Sequence, residues 1–514
     1  HRPGDRFGRT DLVDRRYSAT RSAVALVRCS MSPTTAIIAA CLLPLCGAPL
    51  IALLGRRENL RDAVTVLIAV ATFVTVCTLA PAVTAGARPS VHLIEIFPDL
   101  ALVFQVEPLG MLFALVASGL WIATSIYAFG YMRGHHEENQ TRFFFFFAVA
   151  ISAALGAAFS GNMLTLFFCY EVLTLSTYPL VTHHRSDEAK AAGRIYMGIL
   201  LSTSIGFLLL AMIATYHIAG TLAFIPGGIL TGRASEWIIG VLLLLYAFGT
   251  GKAALMPFHR WLPSAMVAPT PVSALLHAVA VVKTGVFTIV KIIVYIFGID
   301  LLAETGAGTY LTYVACITIL AGSLIAMTKD NLKARLAYST ISQLSYIVLG
   351  AALANNWGVI GASMHIAMHA FGKITLFFCA GAIMVALHKT EISDMKGIGR
   401  QMPLTMGAFL IASLSIIGLP PLGGAWSKWY LVLAGLEAEH YIAVGTLVLS
   451  SLLNIAYLMP VAVNAFFYPA PEGSHGRQEA PLACVLPLLF TALGSLILFF
   501  YPGPLFDLCR QIGG

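Results

Sequence analysis

Apolar runs of about 20 residues recur along almost the whole chain, separated by short polar connections, and no other feature narrows the fold so far. A run of that length spans the hydrocarbon of a bilayer as a helix, because a helix satisfies every backbone polar group within itself. The runs lie near 35–54, 63–84, 108–130, 143–160, 162–181, 195–217, 237–262, 270–297, 309–328, 336–354, 358–387, 404–434, 441–467 and 481–501. They predict an all-α polytopic membrane protein of about 14 transmembrane helices, the seventh and twelfth interrupted by proline. Residues 88–107 alternate apolar with polar between prolines, which predicts a small extramembrane hairpin.

Composition supports this class and excludes others. Only 11% of residues are charged, against about 25% in a soluble domain, and mean hydropathy is +0.84. The net charge of +7 is spread over short loops, so it does not form a nucleic-acid surface. The nine cysteines include no CxxC pair, and the chain has neither GxGxxG nor a Walker-type loop. We therefore expect no cofactor and no metal in this chain, and a transporter subunit rather than an enzyme.

Orientation follows from where the basic residues fall. Of the 31 Lys and Arg, sixteen lie in odd-to-even connections and three (Arg88, Arg233, Arg510) in the even-to-odd connections and C-terminal tail. The positive-inside rule then puts the first set in the cytoplasm and both termini outside. Residues 1–30 conflict with this, since their seven arginines would be translocated. They read either as a basic targeting segment or as a non-native or disordered extension ahead of an initiator at Met31. The missing apolar core of a secretory signal favours the second.

Five lysines, 252, 283, 291, 373 and 428, fall inside spans. An ionisable group at membrane depth costs a few kcal/mol or more, so it faces a partner or an aqueous path. Glu171 is the one acidic residue placed well inside a span, a candidate counter-ion for a buried lysine. Lys252 lies five residues before Pro257, with about fifteen apolar residues ahead of it, too deep to snorkel. His277 and Lys283 share the eighth span. Lys291, near the end of that span, reads as a snorkelling lysine. His365, His369 and Lys373 recur every four residues, stacking three titratable groups on one helix face over about 12 Å. Histidine titrates near physiological pH, which suits relay of protons. Zinc is disfavoured there by the missing third ligand and the adjacent lysine. Lys428 follows Pro420 and Pro421, so each half of the chain pairs a proline-interrupted span with a lysine, the pointer to an inverted-repeat transporter. The five phenylalanines 143–147 read as lipid-facing or packing surface. His135, His136, His183 and His184 read as solvated loop residues.

Several stretches in order resemble one family: KAALMPFHRWLPSAMVAPTPVSALLHAVAVVKTGVF, KDNLKARLAYSTISQLSYIVLG, HIAMHAFGKITLFFCAGAI, and ISDMKGIGRQMP before GLPPLGGAWSKW. They resemble the antiporter-like subunits shared by Mrp-type multisubunit cation/proton antiporters and the membrane arm of respiratory complex I and related hydrogenases. The D-type subunit of Mrp antiporters is the most similar form. Ser264 departs from the pattern, standing where WLPDA carries an acid.

The resemblance implies two inverted five-helix repeats with discontinuous helices. The chain then divides into an extension (1–30), helices 1–3 with the hairpin (31–142), a first repeat (143–297), a second repeat (298–467), and helix 14 with the tail (468–514). It also implies a Glu171–Lys252 pair and proton carriage by His277, Lys283, His365, His369, Lys373 and Lys428. The expected function is proton translocation in a monovalent cation (Na⁺ or K⁺)/proton antiporter, within a hetero-oligomeric complex of the bacterial cell (inner) membrane. The alternative is a proton-pumping subunit of an NADH:quinone oxidoreductase or membrane-bound hydrogenase, and a third reading is a non-transporting membrane scaffold or an inorganic-carbon-uptake partner.

Overall fold

The computed structural model describes residues 31–97, 100–469 and 476–513; the extension 1–30 lies outside the described residues. Among the described residues, ten helices are long and apolar enough to cross a membrane unbroken. These are α1 (Pro33–Leu53), α2 (Glu58–Thr84), α3 (Pro108–Gly134), α4 (Gln140–Ala158), α5 (Met163–Val181), α6 (Asp187–Ala219), and, in the second half, Gly308–Met327, Asn356–Leu387, Tyr441–Phe467 and Leu482–Phe500. Between α6 and the second half lie α7 (Glu236–Gly249) and α8 (Val281–Phe297), the latter bent by 80° against Ile299–Thr305. We number the rest α9 (Gly308–Met327), α10 (Leu332–Ala352), α11 (Asn356–Leu387), α12 (Pro403–Ile417), α13 (Gly424–Glu437), α14 (Tyr441–Phe467) and α15 (Leu482–Phe500). The hairpin is present as β1 (Ser90–Phe97) antiparallel to β2 (Leu100–Gln105).

Helix starts follow from local capping. The Asn162 carboxamide accepts from Thr165 N–H at 2.8 Å to open α5, and Asn355 does the same for Gly358 at α11. Glu107 opens α3 ahead of Pro108, accepting from Leu109 and Gly110 N–H at 2.6 and 2.8 Å. The Asn162 amide also donates to Ala101 O at 2.7 Å, tying the hairpin to the α4–α5 turn.

The two interruptions differ from their sequence marks in one respect. In the second half, α12 ends at Gly418, held at φ 94° in the left-handed region that glycine adopts without strain. Both Pro420 and Pro421 lie in the gap before α13, as expected. In the first half α7 already ends at Gly249, well before Pro257. Glycines explain this early ending. A Cβ on Gly249 would come within 2.4 Å of Leu208 N, and one on Gly251 within 2.2 Å of the Thr203 hydroxyl. One on Gly285 would come within 2.4 Å of the Lys252 carbonyl carbon. The chain leaves the helix where α6 and α8 press on it backbone to backbone, and Trp261 Nε1 donates to the freed Gly251 carbonyl at 3.0 Å.

The 32-residue α11 runs through the interior, packed by α3, α10, α12, α13 and α15. Large apolar side chains on the outer helices, among them Leu67, Leu175, Ile213, Ile317 and Phe490, point outward, as a lipid-facing surface requires. Of the phenylalanine run, 143, 144 and 147 are buried packing and 145 and 146 partly so. Two loop-and-end readings need correction. His183 is buried, because Phe143 and His184 close over it edge-on. Lys291 is fully buried and does not snorkel, because α8 is enclosed on all sides and Glu107 meets it at 3.1 Å.

Candidate functional site

The interrupted α7 presents Lys252 from a single 3₁₀ turn, Gly251–Ala253, with no solvent exposure. Its Nζ donates to the Tyr170 carbonyl at 2.9 Å and to the Thr174 hydroxyl at 2.5 Å, both on α5, and lies 3.1 Å from the centre of the Tyr170 ring. Its own N–H donates to the Tyr170 hydroxyl at 3.1 Å. Glu171, the next residue on α5, is within electrostatic reach of this ammonium. Its carboxylate oxygens are buried, yet no hydrogen bond reaches them among the described residues. The amine is thus docked on neutral oxygens, with the carboxylate beside rather than against it.

On α8, the fully buried Lys283 reaches across to α11, where its Nζ lies 2.5 Å from His369 Nδ1. From there α11 carries the column onward. The His369 and His365 rings stack with centres 5.6 Å apart. His365 Nδ1 lies 2.8 Å from the Ser427 hydroxyl and its Nε2 lies 3.2 Å from Gln343 Oε1. Ser427 precedes Lys428 at the start of α13, and the Lys428 Nζ donates to the Ile417 carbonyl at 3.0 Å, one of those freed where α12 ends. Lys428 also donates to Ser451 at 3.2 Å and sits 4.8 Å from the Tyr346 ring. It borders a cleft of about 590 Å³ between α12, α13 and α14. Lys373 takes a branch, donating to Ser339 on α10 at 2.7 Å, and Tyr457 donates to that same hydroxyl at 2.9 Å.

The structure therefore brings Lys283, His369 and His365 into one column, by a direct contact and then a ring stack, and Lys428 joins it across the Tyr346 ring, which stacks on His365 and carries the Lys428 amine 4.8 Å from its centre. Lys373 stands beside this line, and Lys252 with Glu171 at its α5–α7 end. His277 lies in the turn Leu275–Val279, and its side chain is outside the described residues. Burial matters for function here: an amine or imidazole away from water exchanges protons only with the neighbours it touches. Sequence reasoning missed the intervening neutral groups, Ser427, Gln343, Ser339 and Tyr457. The polar stretch STISQLS in α10 was their visible trace. It also missed Glu107, the partner of Lys291. Lys291 donates to Ser160 O at 2.7 Å, and Tyr295 donates to Glu107 at 3.1 Å. Among the described residues no three His, Cys, Asp or Glu side chains are grouped to hold a metal ion.

Comparison with known proteins gives the family and the fold. Residues 160–454 match the family described as NADH:quinone oxidoreductase/Mrp antiporter, transmembrane. The chain is 34% identical over 423 residues to NADH-quinone oxidoreductase subunit N of Desulforudis audaxviator, covering 78% of this chain and 82% of the relative. It is 33% identical over 407 residues to subunit L of Mycobacterium tuberculosis, covering 76% of this chain but only 62% of that longer relative. The fold is shared with a chain of the Mrp complex from Dietzia sp. DQ12-45-1b, with TM-score 0.84 at 21% identity over 94% of this chain and 97% of that one. With the family's pattern matched over more than half of its length and a relative 34% identical over 78% of it, this chain belongs to the NADH:quinone oxidoreductase/Mrp antiporter transmembrane family, the antiporter-like subunits of Mrp-type complexes and of the complex I membrane arm.

Proposed function

We propose that this chain translocates protons as the D-type subunit of a multisubunit monovalent cation (Na⁺ or K⁺)/proton antiporter in the bacterial cell membrane. The fourteen-helix, two-repeat plan carries both termini on the outer face. The observation that supports it best is the 2.5 Å contact of Lys283 with His369, because it joins α8 of the first repeat to α11 of the second. Protons pass Glu171, Lys252, Lys283, His369, His365 and Lys428, with Lys373 as a side store. Lysines and imidazoles suit protons better than Na⁺, which takes oxygen ligands, so the cation route runs partly through partner subunits. A test is proton-linked cation transport in everted vesicles holding the whole complex. Lys252→Ala is expected to abolish it while the complex assembles normally, and normal transport would remove Lys252 from the mechanism.

A second reading is a pumping subunit of a redox complex, favoured by the names of the two NADH-quinone oxidoreductase relatives. Subunits that co-purify with the chain separate the two: iron–sulfur proteins support the redox complex, and small membrane subunits the antiporter.

A further inference from the structure

At the end of the bundle that carries the basic loops, one carboxylate is surrounded by three imidazoles. Glu137, in the α3–α4 connection, lies 3.0 Å from His135 Nδ1, 3.5 Å from His184 Nδ1 and 3.9 Å from His183 Nε2. Its side chain is only 6% exposed, whereas those of His135 and His184 are 28% and 39% exposed and form the rim. The group opens on a cavity of about 170 Å³ that Lys333, Ala380 and Met384 also line, with room for several waters.

The cavity shares two helices with the Lys373 branch. Its far wall is made by α10 and α11, and the Lys373–Ser339 contact lies between those same two helices. Ala380 follows Lys373 by seven residues on one face of α11, about 10 Å along the axis. Lys333 precedes Ser339 by six on α10, about 9 Å. On the opposite wall Thr270 opens a helical turn in which the Ser273 hydroxyl is buried with no hydrogen-bond partner among the described residues.

Resting on the reading above that protons move through this chain, we propose that Glu137, His135 and His184 form a proton-collecting mouth, exchanging protons between the face of the basic loops and Lys373. Histidine is the side chain that takes up and gives back protons near neutral pH, and a shared carboxylate holds the arriving charge. Other charged groups face the mouth from each neighbouring element. Lys333 donates to Ala268 O at 2.6 Å, Lys389 lies at the rim, and His388 stands 6.5 Å from His135. Arg142, which donates to the His183 carbonyl, and Arg185 lie behind His183.

The test uses the intact complex in everted vesicles with weakly buffered medium. The double substitution His135→Gln with His184→Gln is expected to slow initial proton movement several-fold, with recovery when a mobile imidazole buffer is raised. His184→Gln alone, at the more exposed rim position, should slow it partly, and it serves if the double variant fails to assemble. An unchanged rate in weak buffer overturns the mouth, and so does a slowed rate that added buffer does not restore. Lys252→Ala run in parallel separates the two ideas: if it leaves transport intact, the proton line itself is at fault, whatever the rim variants do.

Discussion

Lys283 Nζ and His369 Nδ1 stand 2.5 Å apart with no solvent between them, so at least one of the two nitrogens must offer a lone pair. An ammonium and a fully protonated imidazole would both be donors and would repel at this distance. The pair therefore holds one mobile proton at a time, and the charge can sit on either side of the α8–α11 contact. His369→Leu keeps the volume but removes the acceptor. We expect it to abolish proton movement with normal assembly. His369→Gln, which retains an acceptor but cannot carry the proton onward, should be equally inactive. Transport by either variant at the parent rate would show that protons bypass this contact.

The Lys252 turn depends on close backbone contact with α8, and Gly285 permits it. Gly285→Ala places a methyl group where a Cβ would meet the Lys252 carbonyl carbon and Ala253 N at 2.4 Å, so the turn must shift. A shift of that order withdraws the Lys252 amine from Thr174 and the Tyr170 carbonyl. Transport is expected to fall at least tenfold, on the scale that small misplacements of reacting groups produce. Gly240→Ala, on α7 with nothing within 4 Å, is the control and should be neutral. Equal activity of the two variants would contradict this account of the break.

Much of this was readable in the chain because charge stands out against an apolar background. Lys252, Lys283, Lys373 and Lys428 stand out as lysines inside apolar spans, and all four are buried. The second interruption was readable because its prolines lie in the gap itself. The first was placed late because glycine contacts with Leu208, Thr203 and Lys252, residues distant in sequence or on other helices, decide where α7 ends. Lys291 was misread for a related reason. Position near a helix end suggests snorkelling, but Glu107 lies far upstream in the chain and doubles as a helix cap, a role that hides its second partner.

That Lys291–Glu107 pair yields a stability prediction. Lys291 carries no exposure and Glu107 almost none, and Lys291 also bonds Ser160 O between the α4 and α5 helices. Removing one member of a buried pair leaves the other charge uncompensated and costs about 3–5 kcal/mol. Lys291→Met should lower the amount of assembled protein in the membrane and its apparent Tm in detergent. Adding Glu107→Gln should recover part of the loss, since the orphaned charge is gone while a cap acceptor remains. Additive losses in the double variant would show that the two residues act separately.

His183 offers a pH signature outside the spans. Burial, followed by the nearby Arg142, His184 and Arg185 charges, pushes its imidazole from 6.5 down to about 4. The unfolded chain therefore takes up a proton below about pH 6.5 that the folded chain refuses until about pH 4. Folding stability falls across that interval as pH drops, is unaffected above it, and levels off below it. At 1.36 kcal/mol per unit the full effect is about 3 kcal/mol. His183→Gln removes the titration. Its apparent Tm at pH 8 sets the fixed effect of the substitution on packing, and from there its loss on acidification to pH 5 should be visibly smaller than that of the parent. Parallel curves for the two proteins between pH 8 and pH 5 would show that His183 is free to take its proton in the folded state.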